Sequence, residues 1–238
     1  EAAARLAARW IQVLTTYTQA GTLYAVDTRL RPGGRDGELV QTPASLARYF
    51  REHAGLWEAV SYLKARAVAG DGATAARALA GVQAAVTERF QGQAMGGELQ
   101  RLRDRMEREG KPGRWGLKTV AGGYYDVDFV ISRRLLESGR AGFGPTGLAG
   151  WAQASGRGLL PAAPAAELAE AVRLLRAADH ALRVGTGKAG AAVPAAGASL
   201  ERGWNWLARI GAVESPAEAA EAVDRARRGI RAIYQVLL

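Results

Sequence analysis

Apolar positions recur every three or four residues along most of this chain, and one short stretch replaces that rhythm with a period of two. Over residues 1–19, Ala3, Leu6, Trp10, Val13 and Tyr17 fall on one side of a helix. Ala20-Gly21 ends it. From Leu23 to Pro32 the pattern alternates, so in a strand Tyr24, Val26, Thr28 and Leu30 would share one face. Ala25, Asp27, Arg29 and Arg31 would share the other, with residues two apart separated by ~6.6 Å. A turn cluster at residues 32–37 and a short second strand at 38–41 complete the expectation of a β-hairpin with a glycine-rich loop.

Thr42-Pro43 reads as an N-cap followed by proline in the first helical turn. The helix it opens runs to about residue 54, with Leu46, Tyr49, Phe50 and His53 along one side. Trp57, Val60, Leu63, Lys64 and Ala67 mark a further helix that ends at Gly70-Asp71-Gly72. Beyond residue 73 the period is helical almost throughout, over 73–90, 98–109, 125–137 and 166–184. The stretch 98–109 is dense in Arg and Glu at spacings that pair on a solvated face. Residues 185–198 are small and read as a mobile connection. Ser215-Pro216-Ala217-Glu218 reads as a capping box opening a last helix, with Val223, Ile230, Ile233, Tyr234 and Leu237 as its apolar stripe.

The fold class expected is therefore α+β and mainly α. Residues 1–72 form a mixed unit and residues 73–238 an α-helical bundle joined by short connections. A hairpin flanked by helices is not a complete sheet, so the first unit is expected to continue upstream of Glu1.

Composition narrows the chemistry. The 238 residues contain no cysteine, which removes thiol nucleophiles, disulfides and Cys-based zinc sites and fits a reducing cytoplasm. No run of 18 apolar residues is present, so no membrane span is expected. The net charge is +9, yet the arginines are scattered and aromatics make up only 7 %, which argues against a nucleic-acid interface. Such a charge suits a phosphate-rich ligand or an acidic protein partner.

Several motifs can be set aside. Gly185-Thr186-Gly187-Lys188 follows a helix and lacks the hydroxyl residue after lysine that a phosphate loop requires. His53 and His180 have no second metal ligand at helical or hairpin spacing. Lys118 through Phe129 is more informative. Gly122-Gly123 ahead of a helix could turn backbone amides toward an anion. Asp126 reads more simply as an N-cap, and Asp128 as a first-turn acid favoured by the helix dipole.

Taken together, three blocks resemble one family. Residues 24–34, Tyr-Ala-Val-Asp-Thr-Arg-Leu-Arg-Pro-Gly-Gly, resemble the signature Y-x-V-D-x-R-L-R-P-x-G of the glutamine synthetase adenylyltransferase/adenylyl-removing enzymes. Trp57-Glu58 and residues 63–71 are similar to the W-E and A-L-x-R-A-R-x-V-x-G-D that follow in that family. Residues 117–129 are similar to D-x-K-x-G-x-G-G-x-x-D-x-E-F. Here Gly116 replaces the acid, Val120 the first glycine and Asp128 the glutamate, while Ser132 stands where the family often has Gln.

The resemblance implies a nucleotidyltransferase core of the DNA polymerase β type followed by a helical bundle. Three carboxylates there hold two Mg²⁺ or Mn²⁺ ions that align ATP for attack by a tyrosine hydroxyl of glutamine synthetase. Asp27 matches the third carboxylate. Arg29 and Arg31, with Lys64 and Arg66, become candidates for nucleotide contact, and Lys118, Gly122, Gly123, Asp126 and Asp128 are further candidates. The G-S-x-D-x-D strand that supplies the other two carboxylates is absent, so the chain is expected to be a carboxy-terminal piece, inactive alone. Residues 32–37 resemble the AMP-adding half more than the AMP-removing one. Implied partners are glutamine synthetase, the PII signalling protein and glutamine as effector. A non-catalytic docking module is the alternative.

Overall fold

The computed structural model describes residues 1–110, 113–139, 158–188 and 192–238. Among the described residues the chain is mainly helical. The helices are α1 (Ala2–Thr15), α2 (Pro43–Glu52), α3 (Leu56–Tyr62), α4 (Gly72–Phe90), α5 (Gly96–Gly110), α6 (Tyr124–Glu137), α7 (Ala162–Thr186), α8 (Ala198–Arg209) and α9 (Pro216–Leu237). They fall into two compact units, Glu1–Arg89 and Phe90–Leu238, so α4 lies almost wholly in the first. Residues 111–112, 140–157 and 189–191, the last within the connection expected over 185–198, lie outside the described residues.

The expected β-hairpin is absent from the described residues. Residues 23–31 run without regular structure, and 38–41 form a loop. A strand's backbone groups need a neighbouring strand, and two short strands alone are marginal. Here the intervening residues are drawn into a compact turn with a 3-10 segment at Gly34–Asp36. The nearest approach to strand pairing is an isolated bridge between Thr18 and Gly21. Without the pleat the expected two faces are lost, and Leu23, Tyr24 and Leu30 are all exposed.

In the first unit, α1 ends at Thr15 rather than near residue 19. The hydroxyls of Thr15 and Thr16 turn back onto the carbonyls of Ile11 and Gln12, a bond that competes with continuing the helix. Its stripe of Leu6, Trp10, Val13 and Tyr17 is exposed. The core forms instead between α2, α3 and α4. Thr42 caps α2 by accepting from the Ser45 amide at 3.1 Å, as expected. Phe50 is fully buried, with the Tyr62 ring 4.4 Å away. Ala59, Val60, Val82, Ala85 and Val86 fill the remaining space.

Glu58 is buried and joins two elements. Its carboxylate accepts the Gly55 amide at 2.9 Å, capping α3, and the Tyr49 hydroxyl at 2.6 Å, tying α2 to α3. Burial pushes the Tyr49 hydroxyl up from its ordinary pKa, and the bond to Glu58 adds to the shift.

The second unit is a helical bundle, as the periodicity predicts. α7 contributes Leu168, Val172, Leu175 and Leu182, α8 contributes Leu200, Trp204 and Leu207, and α9 contributes Val223, Ile230 and Tyr234. α7 and α8 approach through paired glycines: a Cβ on Gly185 would lie 2.3 Å from the Gly203 amide nitrogen. The helix α8 occupies part of a region where no element is expected after 185–198. Its signal is the spacing of Leu200, Trp204 and Leu207. At the start of α9 the expected capping box is not made; Ser215 is the N-cap residue but accepts no hydrogen bond through its side chain. No helix among the described residues is long and apolar enough to cross a membrane.

Leu175 is fully buried on the face of α7 toward the core. Leu175→Ala should lower the unfolding free energy by about 2–5 kcal/mol, read in urea from the fluorescence of Trp115 and Trp204, whose rings meet edge to face at 4.9 Å.

Candidate functional site

Two carboxylate–arginine arrangements, one in each unit, gather some of the residues singled out by the sequence. The first is Asp27 with Arg29. The Arg29 backbone amide reaches Asp27 Oδ1 at 3.0 Å. Its side chain donates from Nε to Oδ1 and Oδ2 at 2.9 and 3.0 Å, and from Nη2 to Oδ2 at 2.6 Å. The side chains remain 65 % and 56 % exposed, so the pair is open to water and to competing ions. These hydrogen bonds, with the attraction of the guanidinium, hold the Asp27 carboxyl down to about 2.

Arg31 lies in the same segment but faces its own loop, donating to oxygens of Thr28, Arg35 and Gly37. The strand reading placed all three charged side chains on one face; the turn separates Arg31 from the other two. Lys64 is half-buried just beyond α3, and Arg66 is exposed in the connection to α4. Asp27 by itself does not fit a divalent metal: it offers one carboxylate, and both oxygens accept from Arg29. No group of three or more His, Asp or Glu suited to a metal occurs among the described residues.

The second arrangement centres on Asp126, which is fully buried. It is not the N-cap of α6; that residue is Gly123, and Asp126 stands in the first turn. Oδ2 accepts the Gly122 amide at 2.7 Å, and Oδ1 accepts Arg103 Nε at 2.6 Å. Arg231 Nη1 reaches both oxygens, at 3.3 and 3.1 Å. Arg103 also donates from Nη2 to the carbonyls of Thr119 and Val120 at 3.2 and 3.0 Å. Glu107 joins the network, 3.2 Å from Arg103 and 3.5 Å from Arg231. Burial opposes the charge on Arg231, but the Asp126 charge and hydrogen bond outweigh it and raise its pKa. Burial also pushes the nearby Tyr234 hydroxyl up to about 12.

This geometry gives Gly122-Gly123 a structural explanation. The Gly122 amide binds Asp126, and the amides of Gly123, Tyr124 and Tyr125 reach the carbonyls of Val120, Leu117 and Lys118. The acceptors that a bound anion would provide come from the chain itself. The glycines are needed for close packing: a Cβ on Gly122 would lie 1.9 Å from the Arg227 carbonyl oxygen, and one on Gly123 2.4 Å from that of Leu117. Lys118 remains exposed, its amine 5.3 Å from the centre of the Tyr125 ring. Asp128 is half-buried in the second turn of α6.

Arg103, Arg231 and Glu107 are participants the sequence did not single out. The Arg- and Glu-rich stretch of α5 reads as solvated, yet Arg103 is fully buried. Its position four residues after Leu99, also fully buried, was the available signal.

Residues 1–81 match the family model described as glutamate-ammonia ligase adenylyltransferase, and residues 93–238 match the model for PII-uridylyltransferase. Curated relatives share one name, bifunctional glutamine synthetase adenylyltransferase/adenylyl-removing enzyme. That of Streptomyces coelicolor is 34 % identical over 77 % of this chain and 19 % of its own length. Those of Xanthomonas axonopodis pv. citri and Xanthobacter autotrophicus are 39 % and 35 % identical over 56 % of the chain and 14 % of their own lengths. The chain belongs to the glutamine synthetase adenylyltransferase/adenylyl-removing enzyme family. It spans less than a fifth of the length of these relatives.

Two measurements check the arrangements. The Asp27 carboxyl should titrate near 2 by carbon NMR, and Arg29→Ala should return it toward 3.8. Because the folded value is depressed, the contact is fully present above the unfolded pKa and is lost as pH falls through about 2. In the second unit, Asp126→Ala leaves the buried Arg103 without its carboxylate and should cost about 3–5 kcal/mol of stability in denaturant unfolding.

Proposed function

We propose that this chain takes part in the control of glutamine synthetase by adenylyl transfer from ATP to a tyrosine of the synthetase, or by the phosphorolytic reverse. The observation that carries this reading is the exposed Asp27–Arg29 pair within a segment that matches the adenylyltransferase family model. On this reading the first unit is part of a nucleotidyltransferase core of the DNA polymerase β type. Asp27 would supply one carboxylate toward Mg²⁺ or Mn²⁺ once Arg29 turns from it to phosphate, the remaining ligands lying beyond the described residues. The metal's chemistry, when it is bound, is to neutralise charge on the reacting phosphates.

The chain's own residues act by placement. Arg29 holds the Asp27 carboxylate ionised and oriented. Its guanidinium is exposed and paired, among the described residues, to the exposed Asp27, an exchangeable arrangement because solvated ion pairs are weak. A polyphosphate oxygen can therefore take over part of its hydrogen bonding in the bidentate manner guanidinium allows. Lys64 and Arg66 are further candidates for phosphate charge, and the resemblance of residues 32–37 to the AMP-adding half favours that direction. The second unit, with its PII-uridylyltransferase match, is the part we assign to response toward the PII protein and glutamine.

The test uses a protein of the relatives' full length that carries this chain. Asp27→Asn should abolish transfer of labelled AMP to glutamine synthetase. Arg29→Ala should raise KM for ATP by about tenfold, the scale expected for losing one charge-assisted contact. Undiminished transfer by Asp27→Asn would remove Asp27 from the site.

A further inference from the structure

The two arginines of the segment differ in what surrounds them. Arg29 meets one exposed carboxylate. Arg31 is closed into the chain: Nε donates to the Gly37 carbonyl at 2.8 Å, and Nη2 to the Arg35 carbonyl at 2.6 Å. Nη1 donates to the Thr28 hydroxyl at 2.6 Å and to the Thr28 carbonyl at 3.3 Å. One planar fork thus joins both ends of the loop 28–37, a geometry that a lysine ammonium cannot reproduce. The backbone is shaped to the same closure. Gly33 has a φ of +75°, and a Cβ on Gly37 would lie 1.7 Å from the Pro32 carbonyl oxygen. Within the loop the amides of Arg31 and Gly34 donate to the carbonyls of Thr28 and Arg31 at 3.3 and 2.9 Å.

We propose that Arg31 is a positioning residue, which closes the loop 28–37 through its guanidinium and so sets the place of Asp27 and Arg29, without itself contacting the nucleotide. This rests on the reading of Asp27 and Arg29 as nucleotide-site residues and divides the labour between the arginines differently from a pair of phosphate ligands. A phosphate ligand matters only when nucleotide is bound. A loop-closing residue matters in its absence, and that difference is measurable.

The experiment follows amide hydrogen exchange by mass spectrometry over 28–37, without nucleotide, in a protein of the relatives' length that carries this chain. Arg31→Lys should accelerate exchange there by about tenfold, because exchange reports local opening, and should raise KM for ATP and lower kcat together, since Arg29 and Asp27 are both displaced. Arg29→Ala should leave that exchange within twofold. Unchanged exchange in Arg31→Lys overturns the proposal. If Arg31→Lys also accelerates exchange over α2, Thr28→Val decides, since it removes one acceptor and leaves the guanidinium intact. Acceleration confined to 28–37 supports the proposal, and none overturns it. The nucleotide reading fails separately, through an unchanged KM for ATP in Arg29→Ala.

Discussion

A carboxylate sealed from water has to be matched where it lies, and in the second unit Asp126 imposes that condition on everything around it. Its oxygens accept from a backbone amide and from guanidiniums on α5 and α9. Removing one partner would leave a buried charge without compensation, which costs far more than the intact network contributes. Helices α5, α6 and α9 and the loop leading into α6 are therefore constrained together. Gly122 and Gly123 follow from this closeness, since the backbone around them leaves no room for a side chain.

The Asp27–Arg29 pair has the same chemistry and the opposite setting. It is exposed, so water and salt compete for both charges. An arrangement of this kind contributes little to holding a fold together, and it can be exchanged for a ligand. Burial, rather than residue type, separates a structural carboxylate from one suited to meeting phosphate or metal. Both lie in sequence blocks that resemble one family, so the resemblance alone does not tell a packing arrangement from a site.

Much of the helical architecture was legible. Periodicity located most helices, and Thr42-Pro43 marked the start of α2. The hairpin was misread because alternation describes which side chains would share a face, whereas a strand also requires a partner for its backbone. α8 was passed over because the small residues before it masked the spacing of Leu200, Trp204 and Leu207. Arg103 was assigned to a solvated face on composition, although a helix position is set by its angle, and its angle is that of Leu99.

The residues themselves determined the helical periods, the start of α2, and the three blocks that resemble the adenylyltransferase family, because these depend on local spacing and residue type. Tertiary structure decided which charges are buried. Asp27 meets an arginine two residues on, whereas Arg103 and Arg231 reach Asp126 from 23 and 105 residues away. It also decided that Arg31 turns inward while Arg29 stays exposed, since a loop closing on its own carbonyls can be recognised only when the positions of those carbonyls are known.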